Sequence, residues 1–151
     1  MKKTLSISVN KLVKLIDENK PCISCGSYEP LEAGHFKSVG AFVNMQWYIH
    51  NIHGQCHYCN QHLSGNQKAY RIGLERRYGI EYVEMIESFN ANNKVLKLNR
   101  YDIAEMTKTI KLWTTIIEQD GRFKDLSATD ERHKNLRIII DNHFKNEGFY
   151  K

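Results

Sequence analysis

Residues 21–66 read PCISCGSYEPLEAGHFKSVGAFVNMQWYIHNIHGQCHYCNQHLSGN. All four cysteines of the 151-residue chain fall in this stretch, as Cys22, Cys25, Cys56 and Cys59. Two C-x-x-C pairs flanking a central segment supply four thiolates, the donor set of a tetrahedral structural Zn(II) site. Such a site is coordinatively closed, so the expected metal holds the fold and does no chemistry. Redox pairs would call for a βαβ context, and the flanking sequence does not read that way.

Working outward, residues 1–20 read as one short amphipathic helix. Ser8 or Asn10 is its expected cap, and Leu12, Val13, Leu15 and Ile16 form its stripe. Between the cysteine pairs, Phe42, Val43, Trp47, Tyr48 and Ile49 are aromatic or β-branched. They predict a hairpin of about 33–39 and 46–53, turning near Gly40. Helical spacing resumes between Asn60 and Tyr78, although Gly65 and Gly73 weaken it there, and again from Ile80 to Phe89. From Asn99 or Asp102 to about Gln119, the residues Ile103, Met106, Ile110, Ile117 and Trp113 recur every three or four positions. Asp120-Gly121 is the expected break, and Thr129 or Asp130 the start of a last helix. The expected class is α+β: a zinc-stapled centre of two strands and a helix, with a mainly α-helical C-terminal half. The expected divisions are an N-terminal helix (1–20), a zinc-bound core (21–79) and a helical region (80–151), forming one compact domain.

Hydrophobic residues make up 41% of the chain, which suits a globular protein. The formal charge of +5 favours a polyanionic partner such as nucleic acid. No apolar run is long enough to span a bilayer, so no membrane partner is expected. The opening MKKTLSISVNKLVKL is broken by Ser, Asn and Lys where a signal peptide is apolar. The expected compartment is the reducing cytoplasm, where paired cysteines bind metal more often than they form disulfides.

The cysteine frame encloses further chemistry. His35 is placed on the first strand, Asn51 near the end of the second, Asn60 directly after Cys59, and His62 two residues on. This order resembles the HNH, or ββα-metal, nucleases. The Cys-x-x-Cys-Asn run is similar to endonuclease VII type resolvases. The runs CISCG, AGHFKSVGA, NIHGQCHYCNQHLSGN and YRIGLERRYG resemble the phage NinG family, also called Rap recombination proteins, from about Cys22 to Tyr78. That resemblance implies a structure-specific endonuclease acting on branched DNA, such as Holliday junctions, D-loops and forks, alongside phage recombination proteins in the host-cell cytoplasm. It implies His35 as general base, Asn51 as its orienter and Asn60 as a ligand of a catalytic Mg(II) or Mn(II).

One departure stands out. Many HNH enzymes carry a metal-binding acidic residue just before the base, and here that position is Gly34. His62 is expected as the second ligand, ahead of Glu32. DNA contacts are expected from Lys37 and Ser38 on the first strand, and from Asn66, Lys68, Arg71, Arg76 and Arg77 on the basic helix. Two readings compete with the nuclease: a non-catalytic zinc DNA-binding accessory protein, and a sequence-specific HNH nuclease. Symmetric cutting of a four-way junction would need two active sites, so a homodimer through the C-terminal helices is a further expectation.

Overall fold

The computed structural model describes residues 1–92, 98–119 and 130–149. Helix α1 spans Lys2–Ile16, β1 Leu31–His35, β2 Ile52–Cys56, α2 Gln67–Tyr78, α3 Ile80–Asn92, α4 Arg100–Gln119 and α5 Asp130–Asn146. The fold is α+β, mostly helical around one two-stranded antiparallel sheet. Its register pairs Leu31 with Cys56, Ala33 with Gly54 and His35 with Ile52. The expected break at Asp120-Gly121, and Thr129, lie outside the described residues.

Helix α1 begins earlier than its expected caps. Leu5 and Val9 belong to the same buried stripe as Leu12, Val13 and Ile16. Ser8 lies buried on that stripe in the middle of the helix and caps nothing. The stripe packs on Ile103, Met106, Ile110 and Ile117 of α4, on Leu136, Ile140 and Phe144 of α5, and on Ile52 of β2. The α4 stripe is therefore core. Asn99 caps α4: the Asp102 amide donates to its Oδ1 and the Asn99 amide to Asp102 Oδ2, each at 2.9 Å.

The hairpin also differs from its expected bounds. The strands are shorter and lie further apart in sequence, with 3-10 turns at Val43–Met45 and Ile49–Asn51 in the connection. Trp47, Tyr48 and Ile49 have strand-type side chains, but the structure uses them to anchor this loop. Trp47 and Ile49 enter the α1–α4 core, whereas Tyr48 joins a second core with Phe36, Tyr70, Leu74, Tyr82 and Ile86. Burial of large side chains overrides strand propensity here. Lys37 and Ser38 consequently follow β1 and are not part of it.

Helix α2 starts only after Gly65, at Gln67, and Gly73 has a reason to interrupt its pattern. A Cβ there would collide with the Ile23 carbonyl, so the glycine lets the helix lie against the first cysteine turn. The two halves are joined by a buried ion pair. Arg137 of α5 donates to both Asp17 oxygens, at 3.0 and 2.8 Å, and to the Ile52 carbonyl at 3.0 Å. Asp17 also accepts the Gly54 amide at 2.7 Å, and both side chains are 0% exposed. The end of α1, the middle of β2 and α5 thus meet at one bidentate contact.

Candidate metal centre and polar site

The four cysteine sulfurs converge, all lying within 4.8 Å of one another. A tetrahedral site with Zn–S near 2.3 Å has sulfur–sulfur edges of about 3.8 Å, and Cys25 Sγ and Cys56 Sγ are 3.7 Å apart. Amide donors point at the sulfurs: Cys56 N to Cys22 Sγ at 3.3 Å, Cys59 N to Cys56 Sγ at 3.5 Å, and Asn66 Nδ2 to Cys59 Sγ at 3.4 Å. Such donors favour thiolates and orient them. Burial pushes the Cys59 thiol up to about 12 and raises Cys22, so a dication is what would deprotonate them at neutral pH. The four cysteines can hold a zinc ion, with no coordination position left for substrate.

Beside this centre lies a carboxylate. Glu32 Oε2 accepts Asn60 Nδ2 at 2.7 Å and Gln61 Nε2 at 3.3 Å, while Oε1 accepts His57 Nδ1 at 2.6 Å. The hydrogen bond from Asn60 leads the causes that hold the Glu32 carboxyl below its usual range. Among the described residues, His62 makes no hydrogen bond to Glu32. It stacks with Tyr58 and meets His57 edge-on. The carboxylate bonded to Asn60 is that of Glu32, the residue ranked second to His62 as a ligand from sequence.

The structure also explains Gly34. A Cβ at that position would run into the buried Gln55 side chain. Gln55 Nε2 donates to Ser24 Oγ at 2.8 Å and to the Gly65 carbonyl at 2.7 Å, tying the first cysteine turn to the loop before α2. An aspartate at position 34 has no room, and the carboxylate on that strand face is Glu32's, two residues earlier.

His35 ends β1, half-buried. Its Nε2–H donates to the Gln46 carbonyl at 2.9 Å, which fixes the tautomer and leaves Nδ1 as the basic nitrogen. Nδ1 makes no hydrogen bond among the described residues. Burial lowers the pKa of the ring, favouring the neutral form. The group that orients the ring is thus Gln46, which the sequence did not single out. Asn51 acts one step removed. It is fully buried, accepts the Lys37 amide at 2.8 Å and donates to the carbonyls of Lys37 (3.1 Å) and Met45 (3.2 Å). It latches the loop that carries Gln46 to the end of β1. No hydrogen bond joins His35 to Asn51 or Asn60.

The basic residues divide. Arg77 is 10% exposed and donates to the Pro21 carbonyl at 2.9 Å. Arg71 pairs with Glu87 at 2.8 Å, and Asn66 is taken up by Cys59. Lys37 lies over Phe36, its ammonium 4.8 Å from the ring centre. Ser38 is half-buried, while Lys68 and Arg76 are exposed. His50 and His53 are buried. His50 faces Asp141 and the Tyr82 hydroxyl, and His53 packs among Tyr70, Tyr78 and Tyr82. No helix among the described residues is long and apolar enough to cross a membrane.

Fold and site together define a small α+β protein built on a four-cysteine metal centre. The family model described as "Bacteriophage Lambda NinG protein" matches residues 1–119, and the chain belongs to the NinG family. It is 42% identical to "Protein ninG" of Escherichia phage lambda over 121 residues, covering 79% of this chain and 53% of that protein. It is also 42% identical over 83 residues to "Protein ninG" of Salmonella phage P22, covering 54% of this chain and 41% of that one. The chain spans about half the length of the curated relatives it matches. No solved structure matches it.

Proposed function

We propose that this protein is a metal-dependent endonuclease of branched DNA, working as a ββα-metal nuclease. The observation that carries the reading is His35: a neutral imidazole at a strand end, with Nε2–H held by the Gln46 carbonyl and Nδ1 open. That is the state a general base needs before the reaction. His35 Nδ1 takes a proton from a water whose oxygen attacks phosphorus. The P–O bond to the leaving oxygen then breaks, and that oxygen is protonated from solvent. Glu32 and Asn60 offer the carboxylate and amide oxygens that Mg(II) or Mn(II) prefers. When bound, such an ion stabilises charge on the phosphate and the leaving oxygen. Glu32 and His35 belong to opposite faces of β1, whose outer edge pairs with no third strand among the described residues. A phosphate crossing that edge is within reach of both faces. Of the DNA contacts expected on α2, Lys68 and Arg76 are exposed and can grip the backbone.

The test offers purified protein, with Mg(II) or Mn(II), a four-way junction, a fork and a linear duplex of matched sequence. Cutting confined to the branched substrates is expected. Binding without any metal-dependent cutting would favour the accessory-protein reading, and cutting of linear duplex at defined sites would favour the sequence-specific nuclease. Sedimentation on the junction tests whether two copies act together.

A further inference from the structure

Three rings stand outside both cores, next to the second cysteine pair. Tyr58 is 61% exposed, the His57 side chain is 64% exposed, and His62 is exposed as well. Tyr58 and His62 stack, with centroids 5.7 Å apart and planes inclined by 26°. His57 meets His62 edge-on at 5.3 Å. The turn that carries them is held firmly. Cys56 and Cys59 bracket its start, the Leu63 amide donates to the Tyr58 carbonyl at 2.9 Å, and the Gly65 amide to that of Cys59 at 3.0 Å. Glu32 pins the His57 ring. Exposed rings on a rigid turn lose little further freedom when something stacks on them.

We propose that His57, Tyr58 and His62 form a stacking platform for an unpaired nucleobase at the branch of the DNA substrate. The inference rests on the nuclease reading and adds how a branch is recognised. A nucleobase presents a flat π face with polar edges. The cluster presents ring faces with a hydroxyl and imidazole nitrogens at its rim, and an apolar protein surface would leave those polar groups unpartnered. Bases inside a duplex have both faces covered, so only an unpaired base can use the platform, whatever its identity. Asn60 and Gln61 lie on the same turn and bond Glu32. A base seated on Tyr58 therefore brings its backbone beside the carboxylate. The exposed cations Lys68 and Arg76 follow on α2. The platform makes the protein select branches without reading sequence.

The experiment measures binding of the zinc-loaded full chain, in buffer without Mg(II) or Mn(II), to a fork with one unpaired base at the branch. The comparison is the same fork with that nucleotide abasic. Tyr58→Ala is expected to weaken binding to the intact fork by about 5- to 100-fold while leaving the abasic fork unaffected. Tyr58→Trp is expected to keep wild-type affinity for both. Equal loss on the two forks, no loss on either, or a Tyr58→Trp variant that behaves like Tyr58→Ala would overturn the platform alone. A wild-type chain that binds fork and linear duplex equally would overturn the nuclease reading and the platform together.

Discussion

The two ends of β2 are held in opposite ways. At Cys56 the strand enters a cluster of thiols that can hold a metal ion, where little apolar surface is buried. At Ile52 it enters a core of α1, α4 and α5, where Asp17 and Arg137 clasp it from within. Both arrangements converge charge, but they use it differently. The cysteine centre gathers like charges that only a cation can reconcile. The Asp17–Arg137 pair is neutral as a unit, and its desolvation is offset by bidentate geometry and backbone partners. The open polar site, Glu32 with Asn60, lies at the cysteine end.

The largest expected effect comes from the metal. Stripping zinc, or Cys22→Ser, should remove stabilisation on the order of 10 kcal/mol from the region around the two strands. Mass spectrometry should find one zinc per chain, and amide exchange after chelation should rise first in residues 21–66. Protection lost equally from the α1–α4 core would break the contrast. Next comes the buried pair. Arg137→Met leaves Asp17 charged without its cation, though still bonded to the Gly54 amide, and should cost about 3–5 kcal/mol in urea denaturation. Adding Asp17→Asn should recover part of that loss, because the charge goes too.

Asn51→Ala should cost about 1–3 kcal/mol, since it orphans the Lys37 amide and two carbonyls. It should also lower cleavage by loosening the loop that carries Gln46. Acid should weaken the helical end. Burial pushes the His133 pKa down to about 4, and lowers those of His50 and His53. An unfolded histidine titrates near 6.5. Between about pH 4 and 6.5 the unfolded chain therefore holds more protons, and stability falls as pH drops through that window. The urea midpoint should be lower at pH 5 than at pH 7, and His133→Leu should shrink the difference. The smallest effect is at the surface: Lys68→Ala or Arg76→Ala should weaken DNA binding evenly and reduce its salt slope by about 1.

The contrast also marks how far the sequence could be read. Cysteine spacing announces the metal centre because ligand and turn chemistry are local. The α4 stripe announces its buried face because side chains three and four apart share it. Asp17 and Arg137 are 120 residues apart, beyond any periodic signal, and Arg137 lies outside the part of the chain that the family model matches. Trp47, Tyr48 and Ile49 carry strand-type side chains, so their use as loop anchors emerges only from packing. Glu32 was visible as sharing a face with Gly34. What hid its partnership with Asn60 was the turn at Tyr58–His62, which brings Asn60 to Glu32 and stacks His62 on Tyr58. Gly34 read as a missing ligand; the buried Gln55 side chain that fills the space where its Cβ would stand is visible only in the packing.

We propose that the sulfur centre holds the fold while a separate site on β1 does chemistry. The most direct test is a junction-cleavage assay of His35→Ala beside wild type, at matched zinc content and in saturating Mg(II) or Mn(II), with binding measured in parallel. The account predicts that His35→Ala binds the junction as tightly as wild type and cuts it at least about 100-fold more slowly. Cutting by His35→Ala at the wild-type rate would contradict it.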